Sequence, residues 1–178
     1  MSKALDPSVR LSIVATCIGL AASCALAQES GSGSPREFAQ AAASSDQFEI
    51  LEAQAVLGQS RNPEVREFAA RILQDHQQLS QAVREAAVRA GLEPPQMAMT
   101  ADQAQWLGAL QSAGGPEFDG LFLRQQTLAH RSALAVDQRY ATAGQDPGLR
   151  QWARDAIPKL SSHAAMASGI EAKLGGRP

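Results

Sequence analysis

The stretch NPEVREFAARILQDHQQLSQAVREAAVRAG, residues 62–91, decides the fold. Asn62, Pro63 and Glu64 supply an N-cap acceptor, a residue whose φ is already helical, and a negative charge for the first turn. Val65, Phe68, Ala69, Ile72, Leu79, Val83 and Ala86 then recur at three- and four-residue intervals, which is one face of an α-helix. Gly91 stops the pattern, and Pro94 and Pro95 keep it from resuming. The stretch predicts a single helix over 63–90, roughly 40 Å long.

Working outward, the same punctuation returns on both sides. Pro35 opens a periodic stretch that runs to about residue 59, and a short helix is expected over 100–113. Gly115, Pro116 and Glu117 open a third long helix that ends near Ala143 and Gly144. Asp146 and Pro147 open a fourth, which reaches Leu174 before Gly175 and Gly176. The openings at Asn62 and Asp146 match, each followed six residues later by an aromatic–alanine pair, Phe68-Ala69 and Trp152-Ala153. No stretch shows the two-residue alternation of a strand. Short connections make the first and second long helices, and the third and fourth, antiparallel neighbours. The expected fold is all-α: an up-and-down four-helix bundle over 35–174, built from two hairpins with a short extra helix between them.

Composition narrows the function. The chain has 178 residues, 44% of them hydrophobic, and a formal net charge of −2. That length suits one hydrophobic core. The weak charge and lack of a basic block argue against a nucleic-acid partner. No nucleotide-binding loop, haem-attachment motif or paired-cysteine zinc pattern is present, and no Ser–His–acid grouping has a recognisable spacing.

The N-terminus reads as an address. Lys3 and Arg10 precede an uncharged run, 11–27, that ends in Ala25, Leu26 and Ala27, small residues at the two positions a signal peptidase reads. The run is shorter than the ~20 apolar residues of a membrane span. A cleaved signal peptide over 1–27 is expected, followed by a Gly/Ser-rich tether over 28–34, with 175–178 as a tail. A lipid anchor at Cys24 is the less favoured alternative. Either way the product is exported, to the periplasm or beyond, where the partner would be a protein of the cell envelope. Both cysteines, Cys17 and Cys24, lie in the leader, so the domain itself has no thiol. Without Lys3, Arg10 and Asp6 it carries 14 basic and 17 acidic residues, a net charge of −3.

The chemistry lies on the inward stripes. His76 falls in the middle of the second helix's apolar face, between Ile72 and Leu79, and His163 falls within that of the fourth. His130 lies toward one edge of the third helix's face, and Glu49 and Glu52 interrupt the apolar stripe of the first. These positions are near mid-helix, so an up-and-down bundle brings all three histidines of the chain to about one level with two carboxylates. A buried carboxylate needs a partner. Two readings meet that need: a transition-metal ion held by Glu49, Glu52, His76, His130 and His163, or a polar layer in which acids and imidazoles satisfy one another. Asp75 points off the stripe and is expected as a solvated acid or as support behind a ligand. Pro158, inside the fourth helix, is expected to kink it.

The pieces Phe38-Ala39, Glu49-Ile50, the run 62–69 leading to Gln74-Asp75-His76, Glu117-Phe118-Asp119, His130, Asp146-Pro147 with Leu149 and Ala153, and Pro158 with Leu160 and His163 together resemble the bacterial domain of unknown function 4142. The resemblance covers about 36–174. It implies an exported protein with a ferritin-like fold and brings no activity. Ferritin-like di-iron proteins carry two Glu-x-x-His pairs. Here Leu73 and Leu160 stand three residues before His76 and His163, so a di-iron centre does not fit and a mononuclear site does. The functional expectation is a non-catalytic exported bundle holding one transition-metal ion, acting in envelope maintenance or stress. A metal-dependent redox or hydrolytic enzyme on the same layer is one alternative. An interaction module with a metal-free polar layer is the other.

Overall fold

In the computed structural model, residues 33–175 are described; the expected signal peptide, nearly all of the tether and residues 176–178 lie outside them. Five helices follow in order: α1 (Pro35–Gln59), α2 (Pro63–Arg89), α3 (Ala101–Ser112), α4 (Gly115–Ala143) and α5 (Pro147–Gly175). Among the described residues there is no strand. The bounds match the sequence punctuation because side chains enforce them. The Asn62 side chain accepts from the Glu64 and Val65 amides at 3.0 and 3.4 Å, and Asp146 accepts from that of Leu149 at 2.8 Å. Thr100 and Gln103 form a reciprocal capping box at the start of α3. At the end of α2, Gly91 takes a left-handed φ of 75°. There the amides of Gly91 and Leu92 reach the carbonyls of Val88 and Ala87, both at 3.0 Å, a complete Schellman motif.

Around the bundle, α1 packs on α2, α2 on α5, α5 on α4 and α4 back on α1, while α3 lies across α1 and α4. All four neighbouring pairs are antiparallel. Phe38 at the start of α1 stacks on Tyr140 late in α4, and Thr127 near the middle of α4 meets Ser168 in the second half of α5. Glu64 and Lys173 pair the start of α2 with the end of α5. Pro158 lies inside α5, which continues as one helix on both sides of it.

The interior is divided. One apolar cluster, with Phe38, Leu79, Val83, Tyr140, Leu149 and Trp152, fills one end. Phe38 stacks on Tyr140 with centroids 3.7 Å apart, and the buried Trp152 donates its Nε1–H to the Leu79 carbonyl at 3.2 Å. A Cβ at Gly144 would meet the Tyr140 ring at 2.5 Å, so only glycine fits beneath it. The other cluster, with Val56, Phe68, Ile72, Leu110, Phe122 and Ile170, fills the opposite end. Between them, buried polar side chains come from all four long helices. Among the described residues, no helix is long and apolar enough to cross a membrane.

Candidate metal centre

His76, His130 and His163 are each 1% exposed and meet at the level where the two apolar clusters part. A nitrogen of each lies within 4.8 Å of the others. His130 Nε2 is 3.3 Å from His76 Nε2 and 3.2 Å from His163 Nδ1. The outward nitrogens are all engaged. His76 Nδ1 lies 2.8 Å from Asp46 Oδ1, His130 Nδ1 2.9 Å from the Gln126 carbonyl, and His163 Nε2 2.9 Å from Asp75 Oδ2.

These outer partners orient the protons. A carbonyl oxygen only accepts, so His130 carries its proton on Nδ1 and turns an Nε2 lone pair inward. The carboxylates of Asp46 and Asp75 draw the protons of His76 and His163 outward in the same way. Three lone pairs then face one another. One added proton can bridge one of the two short N···N contacts and leaves the other unbonded. A cation at the centre satisfies all three. Nitrogens ~2.0–2.1 Å from a tetrahedral ion stand about 3.3 Å apart, so the two short spacings suit such an ion.

Electrostatics keep His130 and His163 neutral. Burial, with the neighbouring His76 and His163, holds His130 well below the usual histidine range. Burial likewise lowers His163 to about 4 despite its bond to Asp75. Asp75 is only partly buried. Desolvation works against its charge, but the bonds from Lys159, 2.8 Å away, and from His163 outweigh it and hold the carboxyl below its ordinary range.

The carboxylates of the first helix gather separately. Glu49 and Glu52, 1% and 0% exposed, both accept from the side-chain amide of Gln126, which uses its two N–H bonds for them. Glu49 comes within 3.7 Å of His130, at the outward Nδ1 and not at the inward nitrogens. Burial, reinforced by Glu52, raises Glu49 well above the carboxylate range. Burial pushes Glu52 up to about 8 against the Gln126 bond. The structure thus gathers the three predicted histidines and places Asp75 directly behind His163. It sets Glu49 and Glu52 beside that group, around Gln126.

Among the buried polar residues that escaped the sequence reading are Asp46, Gln126 and Asp137. Asp46, behind His76, sits four residues after Ala42 and three before Glu49, so extending the α1 stripe would have reached it. Gln126 and Asp137 lie four before and seven after His130, on the same face of α4. An uncharged amide gives no sequence signal of its own, and Asp137 falls beyond the level of the histidines. Met97, in the connection after α2, accepts from Ser80 at 3.2 Å and packs on the apolar cluster.

A family model described as a domain of unknown function (DUF4142) matches residues 20–170. No curated protein matches the chain. Among solved structures, a DUF305 fragment from Deinococcus radiodurans shares the fold at 17% identity and a TM-score of 0.69, covering 78% of this chain and 95% of that one. CopM in its Cu(II)-bound form is similar at 19% identity and a TM-score of 0.68, covering 79% and 97%. The Cu(I)-bound form of CopM gives 20% and 0.68, over 80% and 99%.

Proposed function

We propose, for a chain that belongs to the DUF4142 family, that His76, His130 and His163 hold one transition-metal ion and that the protein binds and retains such ions outside the cytoplasm. The observation that carries this reading is the set of three converging histidine nitrogens, each on a ring whose outward nitrogen has an oxygen partner. Hydrogen bonds of this kind, from the far nitrogen of a ligating histidine, are what orient imidazoles on a metal. Three imidazole donors and no thiolate suit a borderline divalent ion such as Cu(II) or Zn(II). Copper is the first ion to test, because the structurally similar CopM is described in copper-bound forms.

Within such a site each residue has a distinct task. The inward nitrogens are donors, the Gln126 carbonyl holds His130 in one tautomer, and Asp46 and Asp75 place negative charge behind the other two rings. Glu49 and Glu52 lie around Gln126, and burial raises the proton affinity of both. The bound ion would supply a positive charge that cancels the lone-pair repulsion and ties three helices together. A polar depression between α2 and α5 reaches Asp75 and His163. Retention rather than turnover is the role that three fully buried donor rings favour. The N-terminal leader supports export of the mature domain.

Calorimetric titration of the tag-free mature domain with Cu(II) and Zn(II) tests the reading. One equivalent should bind to the wild type, and His76→Ala and His163→Ala should abolish it while helicity persists. If neither ion binds, or both variants bind as the wild type does, the reading fails.

A further inference from the structure

A second feature lies on the other side of α1, away from the α2–α5 depression. Here α1, α3 and α4 enclose a groove of about 290 Å³, close to the lower end of the ~300–1,000 Å³ range of small-molecule sites. Its walls are mostly small or apolar and include Phe48, Trp106, Ala133 and Val136. Trp106 is held edge-on to Phe48, centroids 6.1 Å apart, and its carbonyl accepts from Gln125 at 3.0 Å. So α3 presents an indole to the groove while leaving it 36% exposed to solvent.

The charged residues of the groove have one sign. Asp137 lines it, is only 4% exposed, and has an Oδ2 with no hydrogen-bond partner. The exposed Asp102 lines it too, and among the described residues no lysine, arginine or histidine does. An unpartnered buried acceptor is costly and calls for a donor. Aromatic rings lining the same groove favour a cation whose body is apolar.

We propose that this groove binds a small organic cation, a protonated amine on an apolar body, with the ammonium on Asp137 and the hydrocarbon against Phe48 and Trp106. Burial, with the charge of Asp46 nearby, pushes Asp137 up to about 8 in the empty groove, and an ammonium ion in contact with it would draw the carboxyl back to its ionised form. The site shares no inward histidine nitrogen with the metal centre, so the two readings stand or fall separately.

The test is titration of the metal-free mature domain with benzylammonium, followed by calorimetry and Trp106 fluorescence, with benzyl alcohol and benzoate as neutral and anionic counterparts. Benzylammonium should bind with at least tenfold preference over both. Asp137→Asn should remove that preference, Ala133→Leu should block binding by filling the groove, and His163→Ala should bind as the wild type does. Equal binding of benzyl alcohol, or benzylammonium binding unchanged in both Asp137→Asn and Ala133→Leu, would overturn the proposal. So would no binding of any of the three probes to the folded wild type.

Discussion

A neutral imidazole has one proton, and at His130 the carbonyl of Gln126 decides where it sits. Because that acceptor is backbone, four residues earlier on the same helix, no side-chain change at Gln126 removes it. The side chain of Gln126 has a different job, donating to one oxygen each of Glu49 and Glu52. Gln126→Leu should therefore leave metal binding largely in place and destabilise the fold by about 1–3 kcal/mol, the usual cost of a stranded buried polar group, as read by urea unfolding. Asp46→Asn acts oppositely. It keeps an oxygen near His76 but removes the charge, and it should weaken the metal affinity by about 10–100-fold with little change in helicity. A loss of folding in Asp46→Asn, or an unchanged affinity, would show that Asp46 serves the core and not the site.

At the scale of the element, proline and glycine made most of the boundaries legible. Asn62-Pro63, Asp146-Pro147 and the stop at Gly91 each have a mechanical cause that the structure displays. Asn62→Ala should cost about 1 kcal/mol through loss of its cap bonds. Gly91→Ala should cost about 1–2 kcal/mol because an L-residue is strained at its φ, and thermal melts of the two variants check both. The histidines were legible for a similar reason: a helical wheel gives their face, and counting from each helix end gives their height. The carboxylates were less legible. A height known only to about one turn, 5.4 Å, cannot say whether Glu49 reaches the inward nitrogens or stops at Gln126. The ring order was hidden as well. It places α2 and α4 diagonally, so that His76 and His130 meet across the middle of the bundle.

Over the whole molecule, the buried acids and imidazoles leave opposite signatures in pH. An acid whose pKa rises on folding binds more protons in the native state, so stability falls as pH climbs from its unfolded to its folded value. For Glu52 and Asp137, raised from 4.5 and 3.8 to about 8, that window ends near pH 8. A histidine lowered on folding does the reverse, and for His163 the window runs from about 4 to 6.5. The two trends oppose each other in mild acid. Between about pH 6.5 and 8 only the acids of this set still titrate, and the metal-free protein should lose stability steadily. Glu52→Gln and Asp137→Asn should each flatten that slope in denaturant titrations at several pH values. A flat wild-type profile over this range would mean that both carboxyls find partners in solution.

Whether the three histidine nitrogens hold one ion is read directly by X-ray absorption at the copper edge of the Cu(II)-loaded domain. A first shell containing three imidazole nitrogens at about 2.0 Å is expected, falling to two or fewer in His130→Ala. A first shell of oxygen with one imidazole or none, unchanged in that variant, would place the ion on the surface and contradict a three-histidine site.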